Sequence, residues 1–151
     1  MEEIANIDLA LKWPNDILSG NNKIGGVLIE NIIKGNQIAG SIIGVGINVN
    51  QTNFTDLPGA SSIFLKTGTE LDLGSVLDRI LKFSQIYLEK LSNNDKSGLL
   101  SQYEKMLFQK GRILFFRDQK GEFEGKLLGV TGNGLLEVQK NSHQVRKLKI
   151  G

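Results

Sequence analysis

The sequence has no cysteine and a single histidine, His143. Disulfides, cysteine-ligated zinc, iron–sulfur clusters and a thiol nucleophile are thereby excluded. A histidine-based triad or a multi-histidine metal site is not expected either. His143 itself falls in a turn between two strand-like runs, where a surface position is expected. Proline is scarce, at two residues, and no apolar run approaches the ~18 residues of a transmembrane helix. The Met1-Glu2-Glu3 start lacks the basic-then-apolar order of a secretory signal, so a cytoplasmic protein away from membranes is expected. Charge of one sign is missing too: the formal net charge of +2 is too small to argue for nucleic acid. The charge is uneven, however. Residues 1–108 carry nine basic and twelve acidic side chains, and residues 109–151 carry nine and four. The basic C-terminal third suits an acidic partner, or is simply a solvated surface.

What the chain does have is glycine, 18 of 151 residues, without a G-X-Y period, beside 40% hydrophobic residues. That composition is globular, and the length fits one domain or one with a small appendage. The glycines must serve turns or close backbone approach.

Four stretches follow one another. Between Ile7 and Asn50, runs rich in Ile and Val read as strands: Leu9-Ala10-Leu11, Ile24 to Ile33 and Ile38 to Val49. Lys34-Gly35-Asn36-Gln37 reads as the turn of a hairpin. Val27-Leu28-Ile29 and Ser41-Ile42-Ile43 are continuous rather than alternating, which predicts burial on both faces. Residues 51–72 show no sustained period and read as a long loop with room for a short helix. From Leu73 to Leu91 the apolar residues follow a 3.6-residue period. Asn93-Asn94 breaks it, and a second helix runs from an Asp95 N-cap to Gln109, with Gly111 as its stop. This helix pair is expected to cover one face of the sheet. Arg112 to Gly151 holds four short strand-like runs at the spacing of a small β-barrel.

The residues that carry chemistry cluster between 11 and 50. Pro14-Asn15-Asp16 turns a strand sharply and presents Lys12, Asn15 and Asp16 together. Lys23 follows, then Ile24-Gly25-Gly26-Val27-Leu28-Ile29-Glu30. Next comes Gly44-Val45-Gly46-Ile47-Asn48, in which Gly44 and Gly46 share one face of a strand and Asn48 continues it. Two missing side chains on one face make a slot, and lysines beside it suit a carboxylate or phosphate. No P-loop occurs, and Gly44-x-Gly46 lacks the third glycine of a dinucleotide fingerprint. Taken singly, each cluster is also what an ordinary turn or packing glycine looks like.

In combination they resemble the biotin protein ligases, whose catalytic domain carries a K-W-P-N-D turn, a lysine with a glycine-bearing strand ending in Glu, and a G-x-G-x-N strand. Here these are Lys12 to Asp16, Lys23 to Glu30 and Gly44 to Asn48. The resemblance implies an α+β fold: a partial mixed sheet covered by helices, of the class II synthetase and biotin ligase kind, over residues 1–110. A small SH3-like barrel follows over 111–151. It implies ATP, Mg²⁺ and biotin as reactants. Biotinyl-5′-AMP is formed first, and biotin is then transferred to a lysine of a carboxylase carrier domain. By the same resemblance Lys23 contacts the biotin carboxylate and α-phosphate. Gly26, Leu28, Gly44 and Gly46 line the slot, Asn48 sits by the phosphates or Mg²⁺, and Asn15 and Asp16 organise the site. Asp16 orients Lys23 or the incoming amine, and Lys12 anchors the turn. The family's Arg/Gly-rich loop and most contacts to the biotin ring precede this turn, yet only eleven residues precede Lys12 and none is Arg. The chain is therefore expected to be the C-terminal half of a ligase, weakly active or inactive alone, without DNA binding of its own and prone to self-association. A noncatalytic binding module of this fold and a lipoate-type ligase are the alternatives.

Overall fold

The structure, a computed structural model, describes residues 7–119, 121–141 and 144–149. His143 and the first six residues lie outside these. Four strands open the chain: β1 (Leu9–Lys12), β2 (Asp16–Ser19), β3 (Asn22–Lys34) and β4 (Gln37–Ile47). Three helices follow, α1 (Ile63–Thr67), α2 (Leu73–Ser92) and α3 (Lys96–Lys105). Four more strands close it, β5 (Ile113–Asp118), β6 (Gly121–Val130), β7 (Leu136–Asn141) and β8 (Gln144–Leu148). The fold is α+β, with two four-stranded sheets whose strands lie in chain order. Because tight turns join neighbouring strands, both sheets are antiparallel throughout. The parallel component that a mixed sheet requires is reduced, among the described residues, to one bridge between Lys23 and Ala60. Among the described residues no helix is long and apolar enough to cross a membrane. The chain divides into two compact units, Met1–Lys82 and Phe83–Gly151, so the division falls within α2.

The first unit is built around Ile17, Ile24 and Ile63, joined by Leu9, Leu11, Val27, Ile47 and Leu71. Apart from the bridge at Ala60, the connection between β4 and α2 lies outside any ladder, and polar side chains satisfy part of its backbone. The Ser62 hydroxyl donates to the Gln51 carbonyl at 2.6 Å and accepts the Leu65 N–H at 3.1 Å, capping α1. The Asn50 carboxamide donates to the Leu71 carbonyl at 2.8 Å and accepts the Leu71 N–H at 3.0 Å. The expected loop with a short helix is what forms.

Burial in the long hairpin departs from expectation. Its turn is the expected one, with Gly35 at φ 64. Yet Leu28, Ile29, Ile42 and Ile43 are 59, 55, 61 and 46% exposed. The cause is the length of β2, which pairs with β3 only as far as Gly26. Beyond that point β3 and β4 pair only with each other, as a two-stranded ribbon. Leu73, Leu77, Leu81, Leu88 and Leu91 of α2 are exposed as well, and α3 packs on β6 of its own unit.

In the second unit Phe123, Leu127, Val130, Leu136 and Val138 are buried, and Phe116 stacks on Phe123 with ring centroids 5.8 Å apart. Arg146 lies over Phe123 and pairs with Asp118 at 2.5 Å. The helix that ends here is shorter than its periodicity predicts. Asp95 is the N-cap as expected, but α3 stops at Lys105, and the apolar Met106 and Leu107 lie beyond it. Gln109, at φ 59, bends the chain so that Gly111 and Arg112 bond Leu127.

Glu104 ties α3 to the sheet. Its carboxylate accepts from Lys110 Nζ at 2.7 Å and from the Val130 N–H at 3.1 Å, and these two bonds, Lys110 first, hold its pKa below the usual value. A depressed carboxyl stabilises the fold above its unfolded pKa of ~4.3 and loses that stabilisation as pH falls through the lower folded value. The melting temperature is therefore expected to fall more between pH 6 and pH 3 in the wild type than in Glu104→Gln. The difference should correspond to roughly 1 kcal/mol. Equal acid sensitivity of the two proteins would exclude this role.

Candidate functional site

The turn after β1 contains a cis peptide between Trp13 and Pro14. It brings Asn15 back against the sheet, where its carbonyl accepts the Val27 N–H at 2.9 Å. Asp16 starts β2 opposite Gly26 of β3 and opposite Lys12 of β1. Its carboxylate pairs with Lys23 Nζ at 2.5 Å, and the two side chains are 25 and 52% exposed. Lys12, although in register with Asp16, is not the partner. A half-exposed pair of this kind contributes little stability. Its consequence is positional: an ammonium held in place, with open solvent on one side.

The paired glycines of β3 have opposite surroundings. A Cβ on Gly25 would sit 2.5 Å from the Gly46 carbonyl oxygen and 3.3 Å from Ile47. Gly25 is thus filled by close strand packing. A Cβ on Gly26 would instead meet the Asn15 carbonyl at 3.2 Å and Asp16 Oδ1 and Lys23 Cε at 3.7 Å. The ion pair therefore borders the Gly26 face. Directly across from Gly26 is Gly46, where a Cβ would meet nothing within 4 Å. The next pair on the same face is Leu28 and Gly44, and a Cβ on Gly44 would make only ordinary contacts with Leu28. Gly46 and Gly44 form an open floor, Leu28 stands beside it, and Gly26 with the lysine–aspartate pair closes one end.

Asn48 lies just past β4. Its backbone N–H bonds the Ile24 carbonyl, and its side-chain amide donates to the Ser61 carbonyl at 3.0 Å. One amide N–H and the amide oxygen remain for a ligand. The bond to Ser61 has a second effect that the sequence reading missed. Residues 59–61 run along the start of β3: Lys23 N–H bonds the Gly59 carbonyl at 2.8 Å, and Ser61 N–H bonds the Lys23 carbonyl at 2.9 Å. The backbone that carries the site lysine is thereby held from a side opposite to Asp16's strand. The only local signal was the small, polar Ala60-Ser61-Ser62 after Pro58-Gly59. Among the described residues no group of three Asp, Glu or His side chains converges on a metal-sized site.

Chemically, the arrangement offers a fixed cation beside a flat, side-chain-free surface with apolar flanks, which suits an acyl chain ending in a carboxylate or a mixed anhydride with phosphate. Residues 1–48 match the model of the biotin/lipoate A/B protein ligase family. The chain is 33% identical to the bifunctional ligase/repressor BirA of Bacillus subtilis over 147 residues, which is 93% of this chain and 45% of that protein. It is 25% identical over 133 residues to the acetyl-CoA-carboxylase biotin ligase of Paracoccus denitrificans, covering 85% of this chain and 55% of that protein. The apo biotin protein ligase of Aquifex aeolicus superposes with a TM-score of 0.81 at 28% identity, over 97% of this chain and 64% of that one. The same ligase in complex with biotin and ATP gives 0.80 at 27% identity, over 97% and 61%. The chain spans about half the length of the curated relatives it matches. With the family match falling on the turn, the lysine and both glycine strands, and the structural likeness extending over 97% of the chain, the chain is similar in sequence and in fold to the biotin protein ligases.

Proposed function

We propose that the slot binds biotin and its adenylate. Its chain then serves ATP-dependent formation of biotinyl-5′-AMP and transfer of biotin to a lysine of a carboxylase carrier domain. The observation that supports this best is the Lys23–Asp16 pair standing over the Gly26–Gly46 floor. In the first step a biotin carboxylate oxygen bonds the α-phosphorus of ATP, and the bond to pyrophosphate breaks. Two anions must approach, and the Lys23 ammonium lowers the cost of bringing them together. In the second step the carrier amine bonds the acyl carbon, AMP leaves with the electron pair of the broken C–O bond, and the amine loses a proton. Asp16 fixes Lys23 and places a carboxylate beside it to attract the incoming amine. The absence of side chains at Gly26, Gly44 and Gly46 lets the ligand lie on the backbone.

Magnesium ordinarily binds through one or two carboxylates together with substrate phosphates. Here Asp16 is engaged by Lys23, and Asn48 supplies a single amide oxygen. The donor set does not make a protein-held metal site, so any Mg²⁺ would arrive on the phosphates of ATP.

The reading is tested by titrating the chain calorimetrically with biotinyl-5′-AMP and with lipoyl-5′-AMP. Binding is the readout because the Arg/Gly-rich loop of the family is not among these 151 residues. Micromolar binding of the biotinyl compound, stronger than that of the lipoyl compound, is expected. Absence of binding to either would withdraw the reading of the slot.

We also propose that the chain self-associates. Both faces and the outer edges of the β3–β4 ribbon present Ile, Leu and Val to water, and such edges are templates for pairing. Sedimentation velocity is expected to show mass increasing with concentration. A monomer across the micromolar range would refute this.

A further inference from the structure

The cation that draws two anions together in this slot is also an amine beside an acyl group. Lys23 Cε lies 3.7 Å from the point that a Cβ on Gly26 would occupy, so Nζ, one bond further on, stands at the end of the floor. A carboxyl oxygen held by that nitrogen at hydrogen-bond distance places its carbon on the order of 3–3.5 Å from the nitrogen, the separation at which reacting atoms meet. The acyl adenylate is a mixed anhydride, and a primary amine is the nucleophile that opens it. By position, Lys23 therefore competes with the lysine of the carrier. The difference between the two amines is the partner. To bond carbon, a nitrogen must free its electron pair, and Lys23 does so only by giving up the N–H that faces Asp16. The two groups are 2.5 Å apart, and the Asp16 side chain is 25% exposed. Among the described residues no other cation pairs with this carboxylate: Lys12, opposite it in the ladder, does not reach it. Loss of the Lys23 N–H would leave a largely buried acceptor without a donor, which is costly. The root of the lysine is fixed as well, by the bonds of its backbone to Gly59 and Ser61.

We propose that Asp16 protects the site from acylating itself, and that Lys23 becomes an acceptor of the acyl group once Asp16 is removed. The inference rests on the reading of the slot as an acyl-adenylate site. In the side reaction the Lys23 nitrogen bonds the acyl carbon and the bond from that carbon to the AMP oxygen breaks. AMP leaves with the electron pair, and the nitrogen gives a proton to water. The product is a neutral amide lying on the floor, so the reaction removes the cation and blocks the slot together. The test is incubation of the wild-type chain, Asp16→Asn, Asp16→Ser and Asp16→Glu with biotinyl-5′-AMP, each at a saturating concentration set by calorimetry. Peptide mass spectrometry then follows the gain of one biotinyl group at residue 23. Lys82 and Lys105, both exposed and outside the slot, report the general reactivity of surface amines toward the adenylate. Relative to them, labelling of Lys23 is expected to be about fivefold faster in Asp16→Asn and Asp16→Ser than in the wild type, the size expected for a partly exposed charged pair. Asp16→Glu, which keeps a carboxylate, is expected to restore part of the protection. Labelling of Lys23 that is unchanged or slower in both Asp16→Asn and Asp16→Ser, with the adenylate still bound by the wild type, would overturn the protective role and leave the slot reading standing. If the wild-type chain does not bind the adenylate, the slot reading and the protective role are both overturned.

Discussion

Gly25→Ala is expected to destabilise the first unit by on the order of 3 kcal/mol, the size of effect that a buried backbone clash produces. For a unit of this size that corresponds to a drop in melting temperature of roughly 10–20 °C. The added Cβ would lie 2.5 Å from the Gly46 carbonyl oxygen. That atom belongs to the neighbouring strand's backbone, so relief requires β3 and β4 to separate where β3 also pairs with β2. Gly46→Ala is the informative partner. A methyl there meets nothing within 4 Å, so the melting temperature should stay close to the wild type's while binding of biotinyl-5′-AMP falls, because the methyl occupies the floor. Circular dichroism melts and titrations of both variants check the pair. Equal melting temperatures for Gly25→Ala and the wild type would contradict the packing account.

Lys23→Ala is expected to weaken binding of biotinyl-5′-AMP by tenfold to a hundredfold, on the order expected for loss of a charge-assisted hydrogen bond. The fold should hardly respond, because a half-exposed ion pair contributes little to stability. Asp16→Asn leaves the ammonium in the sequence but unheld, and a smaller loss is expected. Lys23→Arg should rescue only part, since a planar guanidinium does not replace a compact ammonium in a fixed slot. Binding unchanged in Lys23→Ala would remove this residue from the site.

Much of the site was legible from Lys12 to Asn48 because its parts are short and keep their order. A turn forced by Pro14, a lysine, and Gly44 and Gly46 on one face of a strand require no knowledge of distant contacts. The alternation of β-strands places Gly26, Gly44 and Gly46 on a common face once the hairpin register is known, and the Gly35 turn sets that register. Four features were not legible. Asp16–Ser19 is four residues long, too short to show a period, so β2 was missed. The Gly59–Ser61 segment reaches Lys23 only through tertiary hydrogen bonds. Burial of the hairpin was misread because a continuous apolar strand has the same sequence whether something covers it or not. The end of α3 was misplaced for a related reason: Met106 and Leu107 continue the apolar period, while the backbone at Gln109 has already left the helix.

The unequal lengths of β2 and β3 have a mechanical consequence. From Asn22 to Gly26, β3 has β2 on one side and, on the other, the Gly59–Ser61 segment at Lys23, Asn48 at Ile24 and β4 from Gly25, while beyond Val27, whose N–H bonds the Asn15 carbonyl, only β4 remains. The strand is therefore stiff at its root and compliant toward its tip. Lys23 and Gly26 sit on the stiff part, so the groups proposed to meet a reacting carboxylate keep their spacing without help from a ligand. Leu28, Glu30 and Ile32 sit on the compliant part, which can bend to follow the shape of whatever lies on it. One strand thus separates fixed geometry at the reacting end from adaptable fit at the other.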